Sequence, residues 1–149
     1  MIRETLYREI LRTLPVACVD LVVRRADGKF LVVRRKNEPL KGEWWVVGGR
    51  ILQGEKVGDA VLRKLKQEVG LVSLGAPRFI GLYEDFFDRN SFEMAPYHTL
   101  SLVYEVTVDG AGVILDDQSD GIRWDEALPE RFIVQPSYSR DYVRKSDDV

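Results

Sequence analysis

The chain has 149 residues, 45% of them hydrophobic and 31% charged, which predicts one domain spanning 1–149 and excludes collagenous, low-complexity and wholly disordered classes. Lys and Arg number 22 against 24 Asp and Glu, a formal charge of −2, so nucleic acid is not expected as a partner, although a local basic pocket could hold phosphate. The single Cys18 removes a disulfide framework or a multi-cysteine zinc site, and no apolar run approaches the roughly 20 residues that cross a bilayer. The expectation is a cytoplasmic protein without membrane contact.

Leu6, Ile10, Leu11 and Leu14 recur at near-helical intervals over Glu4 to Leu14, predicting a short helix that Pro15 ends. Val16 to Arg24 and Phe30 to Arg34 are rich in Val and Leu and flank Asp27-Gly28, the pattern of a β-hairpin. Trp44 to Val47 is a further extended candidate running into Gly48-Gly49. Alternation puts the two tryptophans on opposite faces, one toward the core and one available to a ligand. From Glu55 to Val69 the period changes, with Val57, Val61 and Leu65 on one stripe, and Gly70 is placed to end that amphipathic helix. Strands are expected at Arg78 to Tyr83, Thr99 to Val108 and Gly121 to Trp124. Glu84 to Tyr97 suits a ligand-facing loop, Asp125 to Leu128 a short helix start, and Arg140 to Val149 a charged tail whose last few residues are mobile.

The richest segment runs from Gly49 to Leu71. Glycines permit a tight turn and close backbone approach, and the following helix offers polar groups from successive turns. Glu68 lies one turn beyond Lys64 and next to Gln67, so oxygen ligands could meet a metal beside the Gly49 carbonyl, with Mg²⁺ or Mn²⁺ suited to such ligation next to a diphosphate. The same spacing also describes an amphipathic helix with a solvated charged face. Arg34, Arg35, Lys36 and Arg50 could contact a diphosphate or form a solvated cluster.

This segment resembles the signature of the Nudix hydrolases at Gly49, Glu55, Arg63, Leu65, Glu68, Gly70 and Leu71, with Lys64 and Gln67 in place of two usual acids. The resemblance implies an α/β/α sandwich around a mixed β-sheet. A charge-assisted contact is expected to turn Arg63 toward Glu55 near the start of the helix and brace the catalytic turn. Asp20 between Val19 and Leu21, the stretch Arg35 to Trp44, Gly48-Gly49-Arg50, Asp116-Asp117-Gln118 and Arg123-Trp124 are similar to the GDP-mannose mannosyl hydrolase branch. That branch cleaves a nucleotide sugar at the anomeric carbon to release GDP and hexose. It implies GDP-mannose or GDP-glucose as substrate, a homodimer, and Mg²⁺ on the Gly49 carbonyl, Glu68 and Gln118. Because Lys64 cannot ligate while protonated, one main ion is implied instead of a multi-metal cluster. Arg35 and Arg50 would hold the diphosphate, Asp20 and Arg35 would belong to the sugar side, and Glu55, Arg63 and Gln67 would support the motif.

The chain departs from that branch at Ser119, which stands where a histidine base is expected and is itself a weak base near neutral pH. Asp120, Glu84, Asp85 and Asp88 are the acids available to replace it. Asp85 also stands where a second histidine is expected. His98 suits either an active-site wall or an ordinary hydrogen-bonded position, and Trp45 and Tyr83 are candidate substrate contacts. Three readings stay open: hydrolysis at carbon, hydrolysis at phosphorus, and a non-catalytic nucleotide-sugar binding module.

Overall fold

The computed structural model describes residues 2–37, 40–87, 97–130 and 132. Its elements in chain order are α1 (Glu4–Thr13), β1 (Val16–Arg25), β2 (Phe30–Arg35), β3 (Trp44–Trp45), β4 (Val47–Arg50), α2 (Val57–Val69), β5 (Arg78–Phe87), β6 (Tyr97–Val108) and β7 (Ser119–Asp125). The backbone path of the sheet runs β3-β2-β1-β6-β5, with β4 on β1 and β7 on β2. β1 and β6 pair in parallel from Val16↔Thr99 to Arg25↔Val108, whereas β5 with β6 and β2 with β7 are antiparallel, so the sheet is mixed.

The predicted hairpin closes through Gly28, whose φ of +86° needs a residue without Cβ, yet β1 and β2 are paired only at Arg24↔Phe30. Beyond that point the chain from Trp44 to Arg50 lies between them. Trp45 and Trp44 pair with Val33 and Arg34 of β2, and after Val46 the segment switches partner so that Gly48, Gly49 and Arg50 face Asp20, Val19 and Cys18 of β1. This switch brings the glycine turn against the first half of β1.

Alternation along β1 divides the sandwich. Val19, Leu21 and Val23 face α2, where Ala60, Val61, Leu65 and Val69 are fully buried with them. Each such Val or Leu is worth about 1.5–3 kcal/mol of burial, which fixes the rotation of α2 and hence the direction of its polar side chains. Val22, Val103, Ile80 and Tyr83 line the opposite face with Trp45, Leu128 and Phe132. On that same face α1 inserts Leu11 against Val16, with Tyr7 and Cys18 beside it. The result is the expected α/β/α sandwich. α2 ends at Gly70, φ +69°, whose N–H closes on Lys66.

Some boundaries differ from the sequence expectation. Glu84 to Phe87 belong to β5 and not to a loop, because β6 begins at Tyr97 and gives them antiparallel partners from Leu100 back to Tyr97. Residues 125–128 form the end of β7 and a bend instead of a helix start, with Leu128 drawn into the core just before Pro129. The expected tail from 140 to 149 and the candidate Asp88 lie outside the described residues.

Candidate active site

A cavity of about 710 Å³ opens where α1, the start of β1, β2, β4, α2 and the segment before β7 meet. Of the residues singled out by sequence, it brings together Asp20, Arg35, Trp45, Gly49, Arg50, Gln67, Glu68, Gln118 and Ser119. Asp85 joins them from β5.

The acidic side of the cavity follows from strand alternation. Cys18 and Asp20 sit on the face opposite α2, and register places Ser101 on β6 and Tyr83 on β5 across from Cys18. The Tyr83 hydroxyl donates to Asp20 Oδ2 at 3.0 Å, and Ser101 is also hydrogen-bonded to that carboxylate. Gly48, paired with Asp20 across the strands, is required here: a Cβ would stand 2.2 Å from Asp20 Oδ1 and 2.5 Å from the Val19 carbonyl oxygen. Burial, and then the charge of nearby Asp85, push the Asp20 carboxyl up from 3.8 to about 6. Asp85 is likewise buried, one strand pair from the mouth of β1 at Asp85↔Thr99. A like charge nearby in a low-dielectric wall disfavours the ionised form of Asp20. Burial also pushes the Cys18 thiol up to about 12, so it is a neutral part of the lining.

Cations face this acid pair. Arg50 lies over the Tyr7 ring, 4.5 Å from its centroid, so the N-terminal helix holds its guanidinium at the cavity edge. Alternation on β2 sends Arg35 inward, where its charge acts on Asp20, and Arg34 outward to Asp120 at 2.7 Å. Lys64 reaches from α2 to Glu68, Nζ to Oε1 2.5 Å. Glu68 also accepts a hydrogen bond from the Gly48 N–H, and burial raises its carboxyl above the ordinary range.

Behind the glycine turn, Arg63 Nε and Nη2 donate to both Glu55 oxygens at 2.6 and 2.9 Å. Its Nη2 also donates to the Arg50 carbonyl oxygen at 2.9 Å. Glu55 in turn accepts from the Leu52 N–H at 2.9 Å, and these contacts hold its carboxyl down at about 2, Arg63 contributing most. The spacing of Glu55 and Arg63 thus builds a brace that fixes the backbone at Arg50 from outside the cavity. Gln67 accepts from Arg63 at 3.1 Å, tying one cavity residue to the same brace.

The residues expected to hold Mg²⁺ or Mn²⁺ line one cavity, but their side chains do not fit a resident divalent ion. The Glu68 carboxylate is neutralised by the Lys64 ammonium, and the Gln118 side-chain oxygen accepts from Asn37 Nδ2 at 3.1 Å. Among the described residues no three His, Cys, Asp or Glu side chains cluster as a metal site.

Three sequence candidates lie elsewhere. Asp120 is on the outward side of β7 with Arg34. Tyr83 is fully buried beneath Asp20, which it contacts in place of a ligand. His98 projects away from the cavity, stacked on Phe86 at 4.4 Å between centroids and 3.1 Å from Glu84 Oε1, because it is one residue out of phase with the inward Thr99 and Ser101. Trp45 is the inward tryptophan and packs edge-on to Phe132, while Trp44 lies under Arg123 outside, 4.2 Å from ring centroid to guanidinium. Sequence reasoning missed the Lys64 contact, although its spacing of four from Glu68 was the available signal. It also missed Tyr7, for which a lone aromatic on a short helix gave none.

Comparison with known proteins agrees with this layout. The NUDIX domain family matches residues 14–130, from the start of β1 past the end of β7. The low-salt glycan biosynthesis protein Agl8 of Haloferax volcanii is 33% identical over 118 residues, covering 78% of this chain and 74% of its own. The ADP-ribose pyrophosphatase of Methanocaldococcus jannaschii is 30% identical over 132 residues, covering 87% and 74%. Among solved structures, the MutT protein of Methanosarcina mazei superposes with a TM-score of 0.63 at 22% identity, covering 90% of this chain and 94% of its own, a likeness of fold. With the glycine turn, the Glu55–Arg63 brace and Glu68 on α2 all within the matched span, the chain belongs to the Nudix hydrolase family.

Proposed function

We propose that this protein hydrolyses a nucleoside diphosphate sugar, with GDP-mannose and GDP-glucose the preferred substrates, to the nucleoside diphosphate and free hexose. The observation that carries this reading is the division of one cavity into a buried carboxyl pair, Asp20 and Asp85, and a cationic side formed by Arg35, Arg50 and Lys64. Such a ligand has the complementary division: a neutral sugar at one end and a diphosphate at the other. The names of two relatives, a glycan biosynthesis protein and an ADP-ribose pyrophosphatase, support a diphosphate-linked sugar as the substrate class.

In this reading water attacks the anomeric carbon, a carbon–oxygen bond forms, and the bond from that carbon to the diphosphate oxygen breaks. The electron pair leaves on the diphosphate, where Arg35 and Arg50 stabilise the developing charge. Asp20, ionised above about pH 6, receives the proton of the attacking water in place of a histidine. Paired carboxyls serve the same chemistry in glycoside hydrolysis. Nudix proteins generally use Mg²⁺, but because Lys64 already sits on Glu68, no step here is routed through a divalent ion. Ser119, buried at the cavity wall, orients substrate and is not the base. Copies of the chain pair through α1 and the residue after it, which expose Leu6 and Leu14; a single-chain mass by light scattering would count against pairing.

Product identification tests the proposal. Incubation with GDP-mannose, GDP-glucose and ADP-ribose, resolved by ion-exchange chromatography, should yield GDP and hexose from the first two. Nucleoside monophosphate with a sugar phosphate would instead establish attack within the diphosphate. Absence of turnover with retained affinity would establish a binding module.

A further inference from the structure

We propose that Lys64 is a built-in cation that replaces a divalent metal beside Glu68 and Gly49, so that the cavity holds the diphosphate of its ligand without a metal ion. The identity of the ligand as a diphosphate rests on the function proposed above; the replacement of the metal by lysine does not.

The geometry carries this at three points. First, the Lys64 ammonium is against Glu68 Oε1, and both side chains are largely buried, 15% and 10% exposed, so the contact is not a solvated surface pair. Second, Gly49 leaves the room the lysine uses: a Cβ there would be 2.6 Å from Lys64 Cε and 2.9 Å from Nζ. The backbone oxygen expected to face a metal therefore belongs to the residue over which the ammonium is folded. Third, helix stability does not account for the pair. An acid four residues after a lysine is the weaker order for an i,i+4 pair, and Glu68 lies in the last turn of α2, where the helix dipole disfavours a negative charge. Taking two charges out of water adds a further cost. A carboxylate kept in so unfavourable a place, held by the Gly48 N–H and opening on the cavity, has a purpose there. Its partner brings one positive charge to the wall that also carries Arg35 and Arg50. With an ammonium in that position, Glu68 orients Lys64 Nζ, which keeps two further N–H donors for phosphate oxygens.

The decisive substitution is Lys64→Glu, which places two carboxylates one helical turn apart on the same side of α2. Lys64→Met keeps the aliphatic stem without charge, Lys64→Arg keeps the charge, and circular dichroism verifies the fold of each. Mn²⁺ binding to the protein without substrate, followed by electron paramagnetic resonance, should be undetectable at submillimolar concentration for the wild type. It should be at least tenfold stronger for Lys64→Glu. Equal Mn²⁺ affinity in the two proteins, abolished in the wild type by Glu68→Gln, would overturn the proposal. Calorimetry with GDP-mannose, ADP-ribose and inorganic pyrophosphate then reads the diphosphate. Wild-type affinity should change less than twofold between excess EDTA and Mg²⁺. In EDTA, Lys64→Met should lose at least tenfold and Lys64→Arg should retain most of it. Wild-type binding that vanishes in EDTA and returns with Mg²⁺ would refute the replacement. Failure of all three compounds to bind under either condition refutes the diphosphate reading, while the Mn²⁺ measurement still decides the role of Lys64.

Discussion

Asp20→Asn separates the stability of the sheet from its chemistry. The amide keeps the size of the side chain and can accept from Tyr83 and donate toward Ser101, but it cannot ionise. In the wild type the Asp20 carboxyl is raised from 3.8 to about 6, so the folded protein binds this proton more tightly than the unfolded chain does. The stability linked to that proton is fully present below about pH 4 and is lost as pH rises through about 6. A displacement of about two pH units at about 1.4 kcal/mol each corresponds to about 3 kcal/mol. The asparagine variant carries no such loss, so the two proteins should unfold at similar temperatures at pH 4. At pH 8 the variant should be ahead by roughly 6–12 °C, taking the usual 2–4 °C per kcal/mol for chains of this size. Calorimetric melts at the two pH values measure the gap, and turnover at pH 8 should fall at least 100-fold in the stabilised variant. The same gap at both pH values, or a variant less stable at pH 8, would refute the reasoning about burial; unchanged turnover would refute the role of Asp20.

Other perturbations address neighbouring parts of the account. Tyr83→Phe removes the donor to Asp20 Oδ2 and should cost about 1 kcal/mol in denaturant unfolding. It should also move the acid limb of the activity profile to higher pH. Arg63→Met breaks the brace to Glu55 and the Arg50 carbonyl, so KM for the nucleotide sugar should rise several-fold, while Lys at this position should restore little because it lacks the forked geometry. The Glu55 carboxyl is held down at about 2, so its contribution to stability is present above about pH 4.5 and fades toward pH 2; melts of Glu55→Gln should converge with wild type only in strong acid. Gly48→Ala should fail to assemble β4 on β1, because its Cβ would meet the Val19 carbonyl oxygen at 2.5 Å, and soluble yield with near-ultraviolet dichroism reports it.

The sequence made the fold legible where one physical rule dominated. The stripe of Val57, Val61 and Leu65 identified α2, Gly70 its end, and the Asp-Gly turn the β1–β2 connection. The end of β5 was not legible, because Glu84 and Asp85 are polar and extended only through pairing with β6, a contact distant in sequence. At the site, Asp20 was legible only through the resemblance to the mannosyl hydrolase branch, and Arg35 and Arg50 as cations that could contact a diphosphate. The Tyr83–Asp20 bond spans 63 residues and has no local signature. His98 kept two readings open because its place before Thr99 says nothing of strand phase, and one residue of phase puts a side chain on the other face, here beside Glu84. Lys64 could be read as a missing acid; that it takes up the charge of Glu68 required seeing how α2 is rotated against Gly49.

In the proposed reaction water attacks carbon, with Asp20 as base and the diphosphate as leaving group. Hydrolysis of GDP-mannose in ¹⁸O-labelled water, with mass analysis of both products, tests it most directly. The label should appear in the free hexose and not in GDP, whereas label in a phosphate of the nucleotide, with unlabelled sugar, would refute attack at carbon.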